Sequence, residues 1–263
     1  MEKNLNIYYR TCSEKNTALR PYWYSKELCL LSFINNFSLI QGIIGINFML
    51  IHDGPMKNNP EWATKLKKII EPIGVIVEKP KQGNSASCKQ TIEESITLPR
   101  EEIVVFVEDD YLWLNKALLG IVNAIEKLPV DYITPYDHPV RYQKDYPQLV
   151  QPEYCHHYPN IHLTSEAHWR AQESTTMTFA ARVETIKQDL CYFEIYSDNG
   201  KGSPNDRELF RHLQGLGPYE NKFSPNRILM GPMPSLATHV HLPWLAPNIQ
   251  WEDFAKNIIA KNI

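Results

Sequence analysis

Three adjacent carboxylates, Glu108, Asp109 and Asp110, are the side chains of this sequence best suited to chemistry. They follow the run Ile-Val-Val-Phe-Val at residues 103–107, which is apolar at every position. Such a run is typical of a central parallel strand that is buried on both faces. Open α/β sheets bind ligands beyond the carboxyl ends of their strands, so we expect the triplet at a ligand site.

Adjacent negative charges repel one another, so the triplet must either face water or be neutralised by a cation. Oxygen-only ligands suit Mg²⁺ or Mn²⁺, and these ions also bind the phosphates of nucleotides. If the backbone stays extended, Glu108 and Asp110 project to one side and Asp109 to the other. The outer pair therefore predicts a site for one metal-diphosphate unit. A solvated acidic loop is the alternative, and the buried strand before the triplet makes it less favourable.

Strands and helices must alternate in the first half of the chain to place the triplet at a sheet edge. Strands are predicted at residues 5–10, 43–52, 74–78 and 103–107. Helices are predicted at residues 24–37, 60–71 and 84–97. This alternation indicates βαβ units and an α/β fold with a mostly parallel central sheet and helices on both faces.

The second half has a less regular pattern. Prolines, tyrosines and histidines between residues 129 and 169 predict loops and short strands. A strand is predicted at residues 175–181, and helices are predicted at residues 183–190, 205–216 and 251–259. At 263 residues, the chain is long enough to bury a sizeable core, and we expect a single domain over residues 1–263.

Composition argues against several classes of function. The net charge is −3 and the Lys and Arg residues are scattered, so a nucleic-acid partner is not expected. No apolar stretch approaches the roughly 20 residues that cross a bilayer, and no secretory signal pattern opens the chain. The five cysteines form no C-x-x-C pair, which argues against a disulfide framework and a cysteine zinc site. A soluble, cytoplasmic protein without a membrane span is therefore expected.

The segment V-V-F-V-E-D-D-Y-L-W at residues 104–113 resembles the strand and D-x-D motif of GT-A glycosyltransferases of the family 2 type. The βα order before it is similar to their Rossmann-like nucleotide-binding half. In that family the first acid contacts the ribose or a metal-bound water, and the last acid ligates Mn²⁺ or Mg²⁺. The resemblance thus implies nucleotide-sugar contacts for Glu108 and Asp109 and a metal ligand at Asp110. Glu108 departs from the D-x-D motif, which has Asp in the first position.

Other segments fit the same resemblance. It implies that Arg10, Thr11 and Asp53 grip the base, with Asp53 accepting the imide N–H of uracil. It also implies that Asn84 folds over the nucleoside and that His239 completes the metal site. Four of these residues also have a purely structural interpretation. Arg10 could be a surface charge, Asp53 part of a turn, Asn84 a helix entry, and His239 one of a pair of structural histidines.

The resemblance implies a nucleotide-binding half over about residues 1–110 and an acceptor-binding half over about residues 111–263. The implied reaction moves a sugar from a nucleotide-diphosphate donor, commonly a UDP-sugar, to a saccharide or other hydroxyl acceptor with inversion. Such a transfer needs a base for the acceptor proton. Asp206 is the first candidate and Glu208 the second, because the family places an acid at the start of a late helix. Acids that simply favour a helix N-terminus are the alternative.

Two other functions compete with a metal-dependent glycosyltransferase that uses Mn²⁺ or Mg²⁺. A sugar-phosphate nucleotidyltransferase would also place acids at a sheet edge. Those enzymes have a glycine-rich loop after the first strand, however, and residues 10–20 contain no glycine. The other competitor is a catalytically inactive module that binds a carbohydrate or nucleotide and keeps the fold.

Overall fold

The computed structural model describes residues 3–14, 18–142, 161–220 and 223–262. Its helices are α1 (Lys26–Ile34), α2 (Phe37–Ile40), α3 (Pro60–Ile70), α4 (Asn84–Ser95), α5 (Ala117–Lys127), α6 (Val183–Gln188), α7 (Leu190–Ile195), α8 (Asp206–Gln214) and α9 (Trp251–Asn262). Its strands are β1 (Asn4–Cys12), β2 (Gly45–Asp53), β3 (Val75–Lys79), β4 (Ile103–Glu108), β5 (Tyr111–Trp113), β6 (Tyr132–Ile133), β7 (His162–Leu163), β8 (His168–Ala171), β9 (Phe179–Arg182), β10 (Leu229–Met233) and β11 (Ala237–His239).

Among the described residues, nine strands form one sheet in the order β3-β2-β1-β4-β9-β6-β10-β8-β7. Strands β8 and β9 are antiparallel to both of their neighbours, so the other seven strands run in one direction. A separate antiparallel pair joins β5 to β11. The predicted α/β fold with a mostly parallel central sheet is confirmed, and this sheet contains strands from both halves of the chain.

Strand β4 lies inside the sheet and has a hydrophobic core on each face. Val105 belongs to the core that contains α1 and α5, whereas Val104 and Phe106 belong to the core that contains α6 and α8. All five residues of the run at 103–107 are at most 4% exposed. The uninterrupted apolar run is therefore explained by burial on both faces, as the sequence indicates.

The predicted helix at residues 24–37 is wrong in extent, because α1 ends at Ile34 and a separate short helix follows. Asn36 is fully buried between the two helices. Its amide donates to the carbonyl of Ser32 at 3.2 Å, and its side-chain oxygen accepts the N–H of Leu118 at 3.2 Å. The asparagine side chain thus competes with the backbone hydrogen bonds of the helix by binding the Ser32 carbonyl and the Leu118 N–H. This competition favours a break in the helix.

The predicted strand at residues 175–181 is also corrected, since β9 begins only at Phe179. Thr176 and Met177 have φ values of 49° and 54°, in the left-handed region. A strand cannot pass through two such residues, so residues 175–178 form a turn. Helices α5 and α7 have no counterpart in the sequence-based assignment.

Within the described residues, no helix has the length and apolar character needed to span a bilayer. Four cysteines, Cys12, Cys29, Cys88 and Cys191, are unpaired there. The fifth, Cys155, lies outside the described residues.

Phe33 connects the helix that carries part of the site to the strands beneath it, so its truncation should destabilise the protein. The fully buried ring lies 4.9 Å from the ring of Trp113 and 6.0 Å from that of Phe48, measured between centroids. Phe33→Ala should lower the free energy of unfolding in urea by about 3–5 kcal/mol. Leu39→Ala is the control, because Leu39 is 42% exposed on the adjacent helix. An equal loss in both variants would contradict this packing.

Candidate functional site

A cavity of about 540 Å³ opens at the carboxyl ends of β1, β2 and β4. Strands β2 and β4 lie on opposite sides of β1, so the chain changes direction across the sheet at this point. Such a topological switch point is where open α/β sheets bind ligands, and the volume suits a small-molecule site. We call it the switch-point cavity. Nine of the ten predicted site residues line it: Arg10, Thr11, Asp53, Asn84, Glu108, Asp109, Asp110, Asp206 and His239.

Arg10, at the end of β1, is buried and forms an ion pair with Glu108. The two residues are register partners in the parallel β1–β4 pairing, so sheet geometry brings them together. The guanidinium also donates to the backbone and side-chain oxygens of Asn84, at 3.0 and 2.8 Å. Burial lowers the pKa of Arg10, but the Glu108 carboxylate outweighs it and the net pKa is raised. Arg10 therefore stays charged and holds the start of α4 against the triplet.

Asp109 binds a cation from a different element. The ammonium of Lys26, the first residue of α1, lies 2.8 Å from Asp109 Oδ2. The Thr11 hydroxyl donates to the same oxygen at 2.5 Å. Lys26 also donates to the backbone carbonyl of Cys12 at 2.7 Å. Burial lowers the pKa of Lys26, but the charge of Asp109 together with the contacts to Cys12 outweighs burial, and the net pKa is raised. The ammonium therefore keeps its proton.

Asp110 is held by a third cation and by a histidine. Its Oδ2 lies 2.8 Å from Nη2 of Arg20 and 3.0 Å from Nε2 of His239. Arg20 also donates to the backbone carbonyl of Val240, which ties it to the residue after β11. Burial raises the pKa of Asp110, but His239 and Arg20 lower it well below the usual range. The carboxylate is therefore ionised throughout the neutral range.

The triplet does not remain extended, so the condition for projecting Glu108 and Asp110 to one side and Asp109 to the other is not met, and all three acids line the cavity. Asp109 and Asp110 form the turn between β4 and β5, and each acid points to its own cation. The described residues contain no group of three or more His, Cys, Asp and Glu side chains arranged to hold a metal. These residues alone do not form a preorganised Mn²⁺ or Mg²⁺ site. The metal role of Asp110 and His239 stays a prediction.

Asp206, at the start of α8, binds the turn at residues 174–177. Its carboxylate accepts the backbone N–H groups of Thr175, Thr176 and Met177 at 3.1 to 3.3 Å. It also accepts the hydroxyls of Ser174 and Thr175. Thr176 and Met177 have positive φ and line the cavity, so Asp206 stabilises an uncommon backbone conformation at the cavity wall. Its predicted role as a base is untested.

Asp53 orders the entry to α4. Its two carboxylate oxygens accept the backbone N–H groups of Gln82 and Gly83, at 2.9 and 3.0 Å. Gly83 has a φ of 84°, a conformation that glycine adopts without steric cost. The carboxylate therefore fixes the turn that presents Asn84 to the cavity. Its contact with a nucleobase stays a prediction.

Glu208 is the one predicted residue that does not line the cavity. Its carboxylate accepts the hydroxyl of Tyr219 at 2.7 Å and lies 3.3 Å from Arg211 on the same helix. Both partners belong to the α8 region, so these contacts organise the helix surface. The base role predicted for Glu208 has no support from its position.

Several cavity residues were not identified from the sequence. Ser13, Lys26, Lys81, Thr176 and Met177 all line it. Ser13 directly follows β1 and Lys81 lies two residues after β3, so their positions beyond strand ends were a usable signal. Lys26 gives no such signal, because the partner that places it in the cavity is far away in the sequence.

Asp206→Asn should destabilise the protein, because an amide presents N–H donors where the turn at residues 174–177 needs acceptors. A buried polar group left without a partner costs about 1–3 kcal/mol, so the melting temperature should fall by about 2–10 °C. Glu208→Gln is the matched control on the same helix, and it should change the melting temperature by less than about 2 °C. A silent Asp206→Asn would show that the carboxylate does not hold the turn.

No protein-family model and no curated protein matches this chain. Among solved structures, a 4-diphosphocytidyl-2C-methyl-D-erythritol synthase is 8% identical, with a TM-score of 0.47, and the match covers 99% of each chain. The same synthase from Anaerococcus prevotii is 11% identical, with a TM-score of 0.45, over 98% of this chain and 99% of that chain. These values describe a general likeness and do not transfer the activity in those titles to this chain.

The comparisons correct the predicted glycosyltransferase. The solved structures that the chain resembles are named as diphosphocytidyl synthases, and the resemblance to GT-A glycosyltransferases is not confirmed. A D-x-D-like motif does not by itself distinguish these classes of enzyme. In this structure Glu108, Asp109 and Asp110 form ion pairs with Arg10, Lys26 and Arg20, and the metal site stays a prediction.

Proposed function

We propose that this chain is an enzyme that binds a nucleoside triphosphate in the switch-point cavity and transfers its nucleotidyl group to a sugar phosphate or similar phosphorylated compound. The observation that carries the proposal is the cavity itself. It has about 540 Å³ of space at the switch point between β1 and β4, with Arg10 and Lys26 on its wall. A nucleotide fits such a volume and such a position in an open α/β sheet.

The charges of the cavity wall favour a phosphate ligand that binds together with a metal cation. Arg10 and Lys26 are held in place by Glu108 and Asp109 before any ligand binds. Cations that are already oriented stabilise developing negative charge without the cost of rearranging. The side chains at the wall include three Lys or Arg residues and six Asp or Glu residues, namely Arg10, Lys26 and Lys81 against Glu14, Asp53, Glu108, Asp109, Asp110 and Asp206. This acidic excess favours a polyphosphate that is partly neutralised, as in a complex with Mg²⁺.

The proposed step is a substitution at the α-phosphorus. A phosphate oxygen of the acceptor attacks this phosphorus, the bond to the bridging oxygen of the β-phosphate breaks, and pyrophosphate leaves. Negative charge spreads over the phosphoryl oxygens during the transfer, where Arg10 and Lys26 would stabilise it. Residues 10–20 contain no glycine, so side-chain cations would make contacts that a glycine-rich loop makes through backbone N–H groups.

Pyrophosphate release tests the proposal directly. The four ribonucleoside triphosphates are each incubated with Mg²⁺ and a panel of sugar and polyol phosphates, and nucleotide binding is measured separately by calorimetry. We expect one triphosphate to bind and pyrophosphate to appear only when an acceptor is also present. Absence of nucleotide binding would overturn the proposal. Binding without turnover on the whole panel would overturn nucleotidyl transfer and favour an inactive nucleotide-binding module.

Lys26→Met should weaken nucleotide binding by about tenfold or more, because it removes a cavity cation and leaves Asp109 uncompensated. A hydrogen bond to a charged group contributes about 1.5–3 kcal/mol, which corresponds to at least a tenfold change in affinity. Lys89→Met is the matched control, since it removes the same charge from an α4 side chain that is 42% exposed and pairs with Glu93. Equal affinities for the two variants, measured by calorimetry, would exclude Lys26 from the binding site.

A further inference from the structure

Ser13, which lines the switch-point cavity, forms a hydrogen-bonded pair with His52 behind it. Ser13 follows β1 and lines the cavity. Its Oγ lies 3.2 Å from Nε2 of His52, which belongs to β2 and is fully buried. The other ring nitrogen, Nδ1, lies 2.7 Å from the backbone carbonyl oxygen of Gly54. Nothing in the proposed reaction uses this pair.

The carbonyl of Gly54 determines where the protons of the pair lie. A carbonyl oxygen only accepts, so Nδ1 of His52 carries a proton and donates it. The two ring nitrogens therefore face a carbonyl oxygen on one side and a hydroxyl on the other. In the tautomer that donates from Nδ1, Nε2 has a lone pair, to which the Ser13 hydroxyl donates. Ser13 Oγ then offers only lone pairs to a ligand, so its ligand must donate.

The surrounding wall indicates which donor fits. The cavity wall also contains Glu14, which is ion-paired with Lys81, the Asp53 carboxylate, and the amide of Asn58. A hydroxyl both donates and accepts, so a sugar hydroxyl matches this mixture better than a phosphate, which only accepts near neutral pH.

We infer that Ser13, oriented by His52, accepts a hydrogen bond from a ribose hydroxyl of the nucleotide and makes the site select ribonucleotides over deoxyribonucleotides. This inference rests on the proposed function, because it assumes that a nucleotide binds. It assigns a specificity-determining role to Ser13 and a positioning role to His52. The phosphates would then lie toward Arg10 and Lys26, which line the same cavity.

The test combines the removal of a ligand hydroxyl with the removal of the Ser13 hydroxyl. Dissociation constants of the ribonucleoside triphosphate and of its 2′-deoxy and 3′-deoxy analogues are measured for the wild type and for Ser13→Ala. In the wild type, the loss of one hydroxyl should weaken binding by about 3- to 10-fold, the range for one neutral hydrogen bond. Ser13→Ala should weaken the ribonucleotide by the same factor and leave that deoxy analogue unchanged. Ser13→Thr, which keeps the hydroxyl, should retain the selectivity.

Ser38→Ala is the control, because Ser38 is exposed on α2 and its hydroxyl donates only locally, to the carbonyl of Asn35. It should keep the wild-type selectivity. Equal weakening of all three ligands in Ser13→Ala, or a wild type without preference for ribose, would overturn the inference and leave nucleotide binding intact. A wild type that binds none of the three nucleotides would overturn both the inference and the proposed function.

Discussion

Charge compensation at the end of β4 is the constraint on which the candidate site depends. Three consecutive carboxylates would repel one another, and each is instead bound by a cation from a different segment. Arg10 comes from β1, Lys26 from the first turn of α1, and Arg20 from the segment between them. The ion pairs therefore fasten the start of the chain to the centre of the sheet. Removing one partner would leave a charge uncompensated in a site that is largely screened from water, which is costly.

The acidic residues around the switch-point cavity also hold neighbouring segments of the backbone in place. Asp53 accepts two backbone N–H groups at the entry to α4, and Asp206 accepts three in the turn before β9. Both carboxylates thereby position residues of the wall, namely Asn84 in one case and Thr176 in the other. A cavity whose wall is fixed in this way loses less freedom when a ligand binds.

Acids at the carboxyl edge of an α/β sheet are compatible with more than one reaction. An open α/β sheet offers a ligand site at its switch point, but the reaction depends on which groups surround the reacting atom. In this chain, Arg10 and Lys26 are cations already oriented toward that point. This arrangement is the reason for favouring chemistry at phosphorus over the sugar transfer that a D-x-D-like spelling suggests.

Local patterns in the sequence were sufficient for the α/β class, for most elements of the first half and for nine residues of the cavity wall. Burial on two faces leaves an apolar run such as residues 103–107, and parallel strands bring their carboxyl ends to one edge. Only the tertiary structure decided that Asp109 binds Lys26, that Asn36 breaks a helix and that Asp206 holds a turn. These outcomes depend on contacts between residues distant in the chain, whereas periodicity reports only which face of an element is buried.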